Sequence, residues 1–187
     1  MKRKILRSLA VTLLAVAVLV AGYALWTPFT LAKIRDREET WKLSSDLKQE
    51  IRRETERLKA EAIMDYSIRK TARMLSFHVT EDRVHRRAHC VGYATLCAAI
   101  ANHAFRTHHI EATATPVVGY VMFHGINLCE ALADIELSEE WERFVRDHDF
   151  VEFQIDGRTI YADPCIYDLT WKDCKTYRTT KTKTKTK

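Results

Sequence analysis

Residues 148 to 164 read HDFVEFQIDGRTIYADP, and the fold turns on how they pair. Asp149 to Ile155 and Arg158 to Ala162 are two apolar-rich, strand-like runs, and Asp156 with Gly157 between them makes a favoured two-residue hairpin turn. Such a turn pairs Ile155 with Arg158, and the register then sets Phe150 opposite Asp163. Residues two apart share a face, so His148 is expected on the side of Phe150, diagonal to Asp163 and near enough for a side-chain hydrogen bond. A carboxylate that holds one imidazole nitrogen leaves the other to serve a nucleophile.

A candidate nucleophile stands upstream, in HCVGYATLCAAIANHAF, residues 89 to 105. From Val91 to Phe105 the apolar residues surround the helix instead of lining one stripe, which predicts a buried helix. Its many alanines let neighbouring backbones come close, and its N-terminus falls at Cys90. A thiol attacks as thiolate, and a helix N-terminus beside an imidazolium favours that form. Cys90, His148 and Asp163 are therefore the candidate catalytic residues. Between helix and hairpin, Ala112 to Met122 reads as a strand, with Pro116 marking an edge or bulge, and Ser138 to Val145 as a short helix.

Taken in order, the helix motif, the strand ATATPVVGYV (112 to 121) and the hairpin resemble the transglutaminase-like superfamily over roughly Thr71 to Asp168. The resemblance implies a papain-like fold with Cys90 as nucleophile, His148 as general acid and base, and Asp163 as the orienting acid. It also implies acyl transfer through a thioester, without cofactor or metal, on an amide-containing protein or peptide substrate. Two family positions keep their residue class, Ala88 as the small residue two before the Cys and Phe150 as the aromatic two after the His. Asp149 departs: it adjoins His148 and could compete for it, although strand alternation should turn it to the opposite face. His85, His89, Tyr93 and His124 are further candidates to line the cleft. Hydrolysis is the first reading, since nothing marks an amine site. Protein-glutamine transglutamination is the alternative within enzymes, and an inactive cell-surface binding module is the alternative outside them.

The remainder of the 187 residues places this domain. Leu9 to Trp26 carries no charge, follows a basic start, and is long enough for a membrane-spanning helix of about 18 residues. The layout fits an uncleaved anchor or a cleaved signal; the length favours the anchor, and either takes the domain out of the cytoplasm. Lys2, Arg3, Lys4 and Arg7 at one end and Lys181, Lys183, Lys185 and Lys187 at the other supply eight positive charges, leaving 22 Lys and Arg against 25 Asp and Glu. That body lacks the basic face of a nucleic-acid binder. From Lys33 to about Ser76 the pattern is amphipathic and helical, with Leu43, Leu47, Ile51 and Leu58 in register. The expected organisation is a membrane or signal segment (1–27), a helical stalk (28–60), a catalytic domain (61–175) and a basic Lys-Thr tail (176–187). The fold class is α+β, a central buried helix on an antiparallel sheet.

Five cysteines leave at least one without an intramolecular partner, and Cys97, Cys129, Cys165 and Cys174 lack zinc-site spacing. Cys165 is a rival nucleophile by register. It is set aside because Pro164 ends the ladder and because Cys165 is not expected to begin a helix. The charge asymmetry around Leu9 to Trp26 generates a test of location: a reporter fused after Trp171 should be active only outside the cytoplasmic membrane, and cytoplasmic activity would refute the placement.

Overall fold

The computed structural model describes residues 30–38, 40–78, 82, 85–123, 126–127, 130–131, 148–171 and 175–178. The Leu9 to Trp26 segment, the helix expected at Ser138 to Val145, His124, Cys129, Cys174 and the Lys-Thr repeat lie outside them. Among the described residues no helix is long and apolar enough to cross a membrane.

The described chain is α+β, with four helices and a curled antiparallel sheet. In chain order the elements are β1 (Thr30–Asp36), α1 (Ser45–Thr55), α2 (Ala60–Met74), β2 (Ser76–Phe77), β3 (Arg87–Ala88), α3 (Cys90–Thr107), β4 (Ala112–Phe123), β5 (Ile126–Asn127), β6 (His148–Ile155), β7 (Arg158–Ala162), α4 (Pro164–Thr170) and β8 (Lys175–Arg178). The main sheet runs β1-β4-β6-β7-β8, with β5 beside β4, while β2 and β3 form a short parallel pair. The sheet curls until Leu31 N of β1 donates to Thr176 Oγ1 of β8 at 2.9 Å.

That curl gives the sheet two dry faces. Inside it, Leu31, Val117, Val121, Phe150 and Tyr161 pack together, with the Phe150 and Tyr161 rings edge to face at 5.5 Å. On the other face Val151, Phe153, Ile155, Ile160 and Ala162 meet α3. Helix α3 is buried over most of its surface, with Val91, Ala99, Asn102 and His103 half-buried and Arg106 exposed along one stripe, and Ile63, Met64 and Ile68 of α2 join the same core. The layers are therefore sheet, central helix and outer helices.

The hairpin has the expected register, with Ile155 opposite Arg158 and Val151 opposite Ala162. Asp156 and Gly157 both take positive φ, 50° and 71°, as a type I′ turn requires. The ladder stops one pair before Phe150 and Asp163, because Pro164 starts α4.

Three expectations about the periphery are corrected. Thr30–Asp36 is a strand and not helix: its charges mark a sheet edge, and Lys33 ion-pairs with Glu152 at 2.9 Å. The stretch read as a stalk packs into the domain, since Ile51 of α1 is fully buried and Leu43 and Leu47 pack against the same core. The start of the expected tail, Thr176 to Arg178, pairs with β7 as part of β8.

Pro116 is likewise not on an edge strand, because β4 lies between β1 and β6. It sits where β1 runs out, just past the Asp36–Val117 pair, and its carbonyl accepts from Arg37 N at 2.8 Å. A residue's N and C=O point the same way in an antiparallel ladder, so the missing donor faces the end of β1 and not β6. Two residues earlier, the Asn102 side chain of α3 takes over as partner. Its Nδ2 donates to Ala114 O at 2.6 Å and its Oδ1 accepts from Ala114 N at 2.9 Å.

Gly119, opposite Lys33 on one side and His148 on the other, is fixed by space. A Cβ there would lie 2.1 Å from Ala32 O and 2.7 Å from the Phe150 ring, and the carbonyl is backbone that cannot step aside. Gly119→Ala is expected to destabilise the fold by at least the ~1–3 kcal/mol of an overpacked core, read from the urea unfolding midpoint.

Candidate active site

Cys90 is the first residue of α3, and His89 before it is the N-cap, its Nδ1 accepting from Val91 N at 3.3 Å. The first-turn N–H groups of a helix lack intrahelical acceptors, so the sulfur stands at the positive end of the buried helix. Tyr93, one turn on, ties α3 to α4 by donating to Asp168 Oδ2 at 2.5 Å. His148 opens β6, and Asp163 follows β7.

The three candidate residues converge. His148 Nε2 donates to Asp163 Oδ2 at 2.5 Å, and the ring stands near enough to Cys90 to act on its thiol. All three are buried, with Cys90 5% and His148 6% exposed and Asp163 1%. Burial pushes the Cys90 thiol up, but hydrogen bonds from His148 and His89 and the charge of His148 outweigh it and hold the thiol below its ordinary value. Burial disfavours the His148 imidazolium, yet the charge and hydrogen bond of Asp163, with a smaller contribution from Cys90, hold its pKa well above the usual histidine value. The arrangement favours a thiolate and imidazolium pair, which is what a nucleophilic sulfur and a proton donor require.

Asp163 has a second task that the sequence reading missed. Its Oδ1 accepts from Cys165 N and Ile166 N, both at 2.9 Å, so it is the N-cap of α4, with Pro164 at the first helical position. An Asp-Pro pair after a strand is a helix-start signal that could have revealed it.

Asp149 corrects the alternation argument. It shares the parity of Val151, Phe153 and Ile155, which face α3, and so it comes to Cys90 instead of turning away: the thiol donates to Asp149 Oδ2 at 3.8 Å. It does not take His148 Nε2, which is bonded to Asp163. Its own oxygens are gripped by Arg37, Nε to Oδ1 at 2.6 Å and Nη2 to Oδ2 at 2.8 Å. No sequence signal pointed to Arg37, which reaches the site from the first position after β1.

The other candidates have different places. His89 caps α3 and bonds toward Cys90, Tyr93 anchors α4, and His85 is exposed and bonded to Asp82 at 2.7 Å. Cys165 does lie in the first turn of a helix, contrary to expectation, but burial and the charge of Asp163 push its thiol well up. Cys97 is fully buried and shifted the same way by burial. Among the described residues no three His, Cys, Asp or Glu side chains are placed to hold a metal ion. A groove of about 430 Å³ runs along α3 past Trp41, Thr95, Asn102 and Pro116, and none of the three candidate residues lines it.

Comparison with protein-family models, curated proteins and solved structures finds no match for this chain.

The two tasks of Asp163 can be separated. Asp163→Asn keeps a capping oxygen for α4 but removes the charge beside His148. Proton NMR of the ring should then show the His148 titration midpoint falling from its raised native value. The urea midpoint should move less than in Asp163→Ala, which also loses a cap worth about 0.5–2 kcal/mol.

Proposed function

We propose that this protein is a cysteine-nucleophile acyl-transfer enzyme of the transglutaminase-like, papain-like type, acting as a hydrolase on amide or peptide bonds of a protein or peptide substrate. The observation that carries the reading is the His148 ring bonded to Asp163 and standing beside a sulfur at the start of a buried helix. The layer order supports it too, since the helix that presents Cys90 packs on the sheet from which His148 and Asp163 come. Leu9 to Trp26 would hold the domain on the outer side of the membrane, as anchor or as signal.

The steps follow from the residues. Cys90 thiolate attacks the carbonyl carbon, the new oxyanion meets the Cys90 backbone N–H, and His148 gives its Nδ1 proton to the leaving amine as the C–N bond breaks. The product is a thioester and a neutral imidazole. Water then attacks while His148 takes its proton, and the C–S bond breaks to restore thiolate and imidazolium. Asp163 keeps Nε2–H engaged throughout, so that one tautomer and one ring orientation serve both steps.

Three measurements test this. Thiol-directed alkylation should label Cys90 quickly at mildly acidic pH, where an ordinary thiol of pKa near 8.5 is inert, and His148→Ala should move that midpoint up. Peptide cleavage and ammonia release from a carboxamide substrate should vanish in Cys90→Ser and persist in Cys165→Ser. Their pH profile should rise as Cys90 ionises and fall as His148 loses its proton. Asp163→Asn should slow turnover by roughly 10³- to 10⁴-fold, as loss of the orienting acid does in triads. Faster ammonia release with an added amine, and incorporation of that amine, would assign transglutamination instead. A Cys90 that alkylates no faster than free cysteine, with neither reaction detected, would remove the enzyme reading.

A further inference from the structure

We infer that Arg37 is a positioning residue for the Cys90 centre, which by holding both oxygens of Asp149 cancels a carboxylate standing beside the sulfur and leaves the thiol free to ionise against His148. The inference deepens the proposed function and rests on Cys90 being the nucleophile.

Three observations converge on it. Asp149 is 1% exposed, so water does little to screen its charge, and its Oδ2 lies 3.8 Å from Cys90 Sγ. That same oxygen accepts from Arg37 Nη2 at 2.8 Å while Oδ1 accepts from Nε at 2.6 Å, the two-pronged geometry in which Arg holds a carboxylate most firmly. Arg37 is itself fixed, because its backbone N bonds to Pro116 O at 2.8 Å where β1 ends.

The chemistry follows from two competing acceptors. Donated to Asp149, the Cys90 proton stays on sulfur; passed to His148, it leaves a thiolate. A bare carboxylate at this distance strengthens the first state and repels the second. The guanidinium draws electron density from Oδ2 and neutralises the pair, which tips the proton toward His148. Among the described residues, the groups facing Cys90 are His89 from its own cap, His148 and Asp149 from β6, and Cys165 from α4, with Asp163 behind His148. Arg37 meets the site at both oxygens of Asp149, so the Asp149 variants isolate its influence from theirs.

The test is the pH dependence of Cys90 alkylation by iodoacetamide on the full chain, resolved from the other four cysteines by peptide mass spectrometry. Arg37→Ala should raise the midpoint by roughly one to two pH units and Arg37→Lys by less, since Lys keeps the charge and loses the fork. Asp149→Asn should lower it, and Arg37→Ala with Asp149→Asn should return it to the native value. A purely structural ion pair would change the unfolding midpoint in these variants and leave the alkylation midpoint where it is. An unchanged midpoint in Arg37→Ala, or a double variant as shifted as the single, overturns the inference. Should Arg37→Ala fail to fold, Asp149→Asn decides alone: a fall supports the inference, and no fall overturns it. A native Cys90 with an ordinary midpoint, indifferent to His148→Ala, sinks the proposed function and this inference together. A low, His148-dependent midpoint that ignores Arg37 and Asp149 sinks only the inference.

Discussion

The carboxylate of Asp163 carries more of this structure than its size suggests, because each oxygen serves a different element. One oxygen receives two backbone N–H groups and starts α4; the other receives His148 Nε2. A buried charge is costly unless its lone pairs are satisfied, and here three donors satisfy it. The same bonds make the position of the imidazole depend on where β7 ends and α4 begins. Pro164 fixes that boundary, since it supplies no N–H to the ladder and suits the first turn of a helix. The placing of His148 is thus referred to a helix boundary that the local sequence defines sharply.

The second constraint is the thickness of the layer between sheet and outer helices. Helix α3 touches other elements over all but one stripe of its surface, and Ala94, Ala98, Ala101 and Ala104 let its backbone approach them. A central helix so enclosed is held along its length, with Asn102 completing the hydrogen bonds of β4 and Tyr93 bonded to α4. Its N-terminus therefore has little freedom relative to β6. Gly119 lets β1 and the Phe150 ring close over the inner face of the sheet directly beside His148.

How much of this was legible follows from where the information sits in the chain. The hairpin was readable because Asp156 and Gly157 fix a register locally, and that register carried His148 to Asp163 by counting. The buried helix was readable because fifteen consecutive residues share one pattern. The edge strands β1 and β8 were not, because charged residues look alike on a wet helix face and on a strand that ends a sheet. Asp149 was misplaced for a subtler reason. Alternation says which residues share a face, but not which face meets the helix, and Val151 and Phe150 are both apolar because both faces of the curled sheet are dry. Arg37 was out of reach altogether, since a partner 112 residues away leaves no local pattern.

The three described cysteines show why burial alone says little about a thiol. Cys90, Cys97 and Cys165 are all buried, and burial by itself raises every one of them. Cys97 is raised chiefly by burial, with the charge of Asp163 adding to the rise. Cys165 lies in the first turn of α4, but the carboxylate that caps that turn opposes its ionisation, so the helix end gives it no advantage. Cys90 alone has an imidazole on one side and a capping histidine on the other. Asp163 bonds to His148 Nε2 and holds the imidazole's pKa up, and the capping residue of α3 is a histidine where α4 has an aspartate. The same fold therefore presents two cysteines in the first turns of two helices and shifts them in opposite directions, because Cys90 has two histidines beside it that outweigh Asp149, whereas Cys165 has only carboxylates and another thiol.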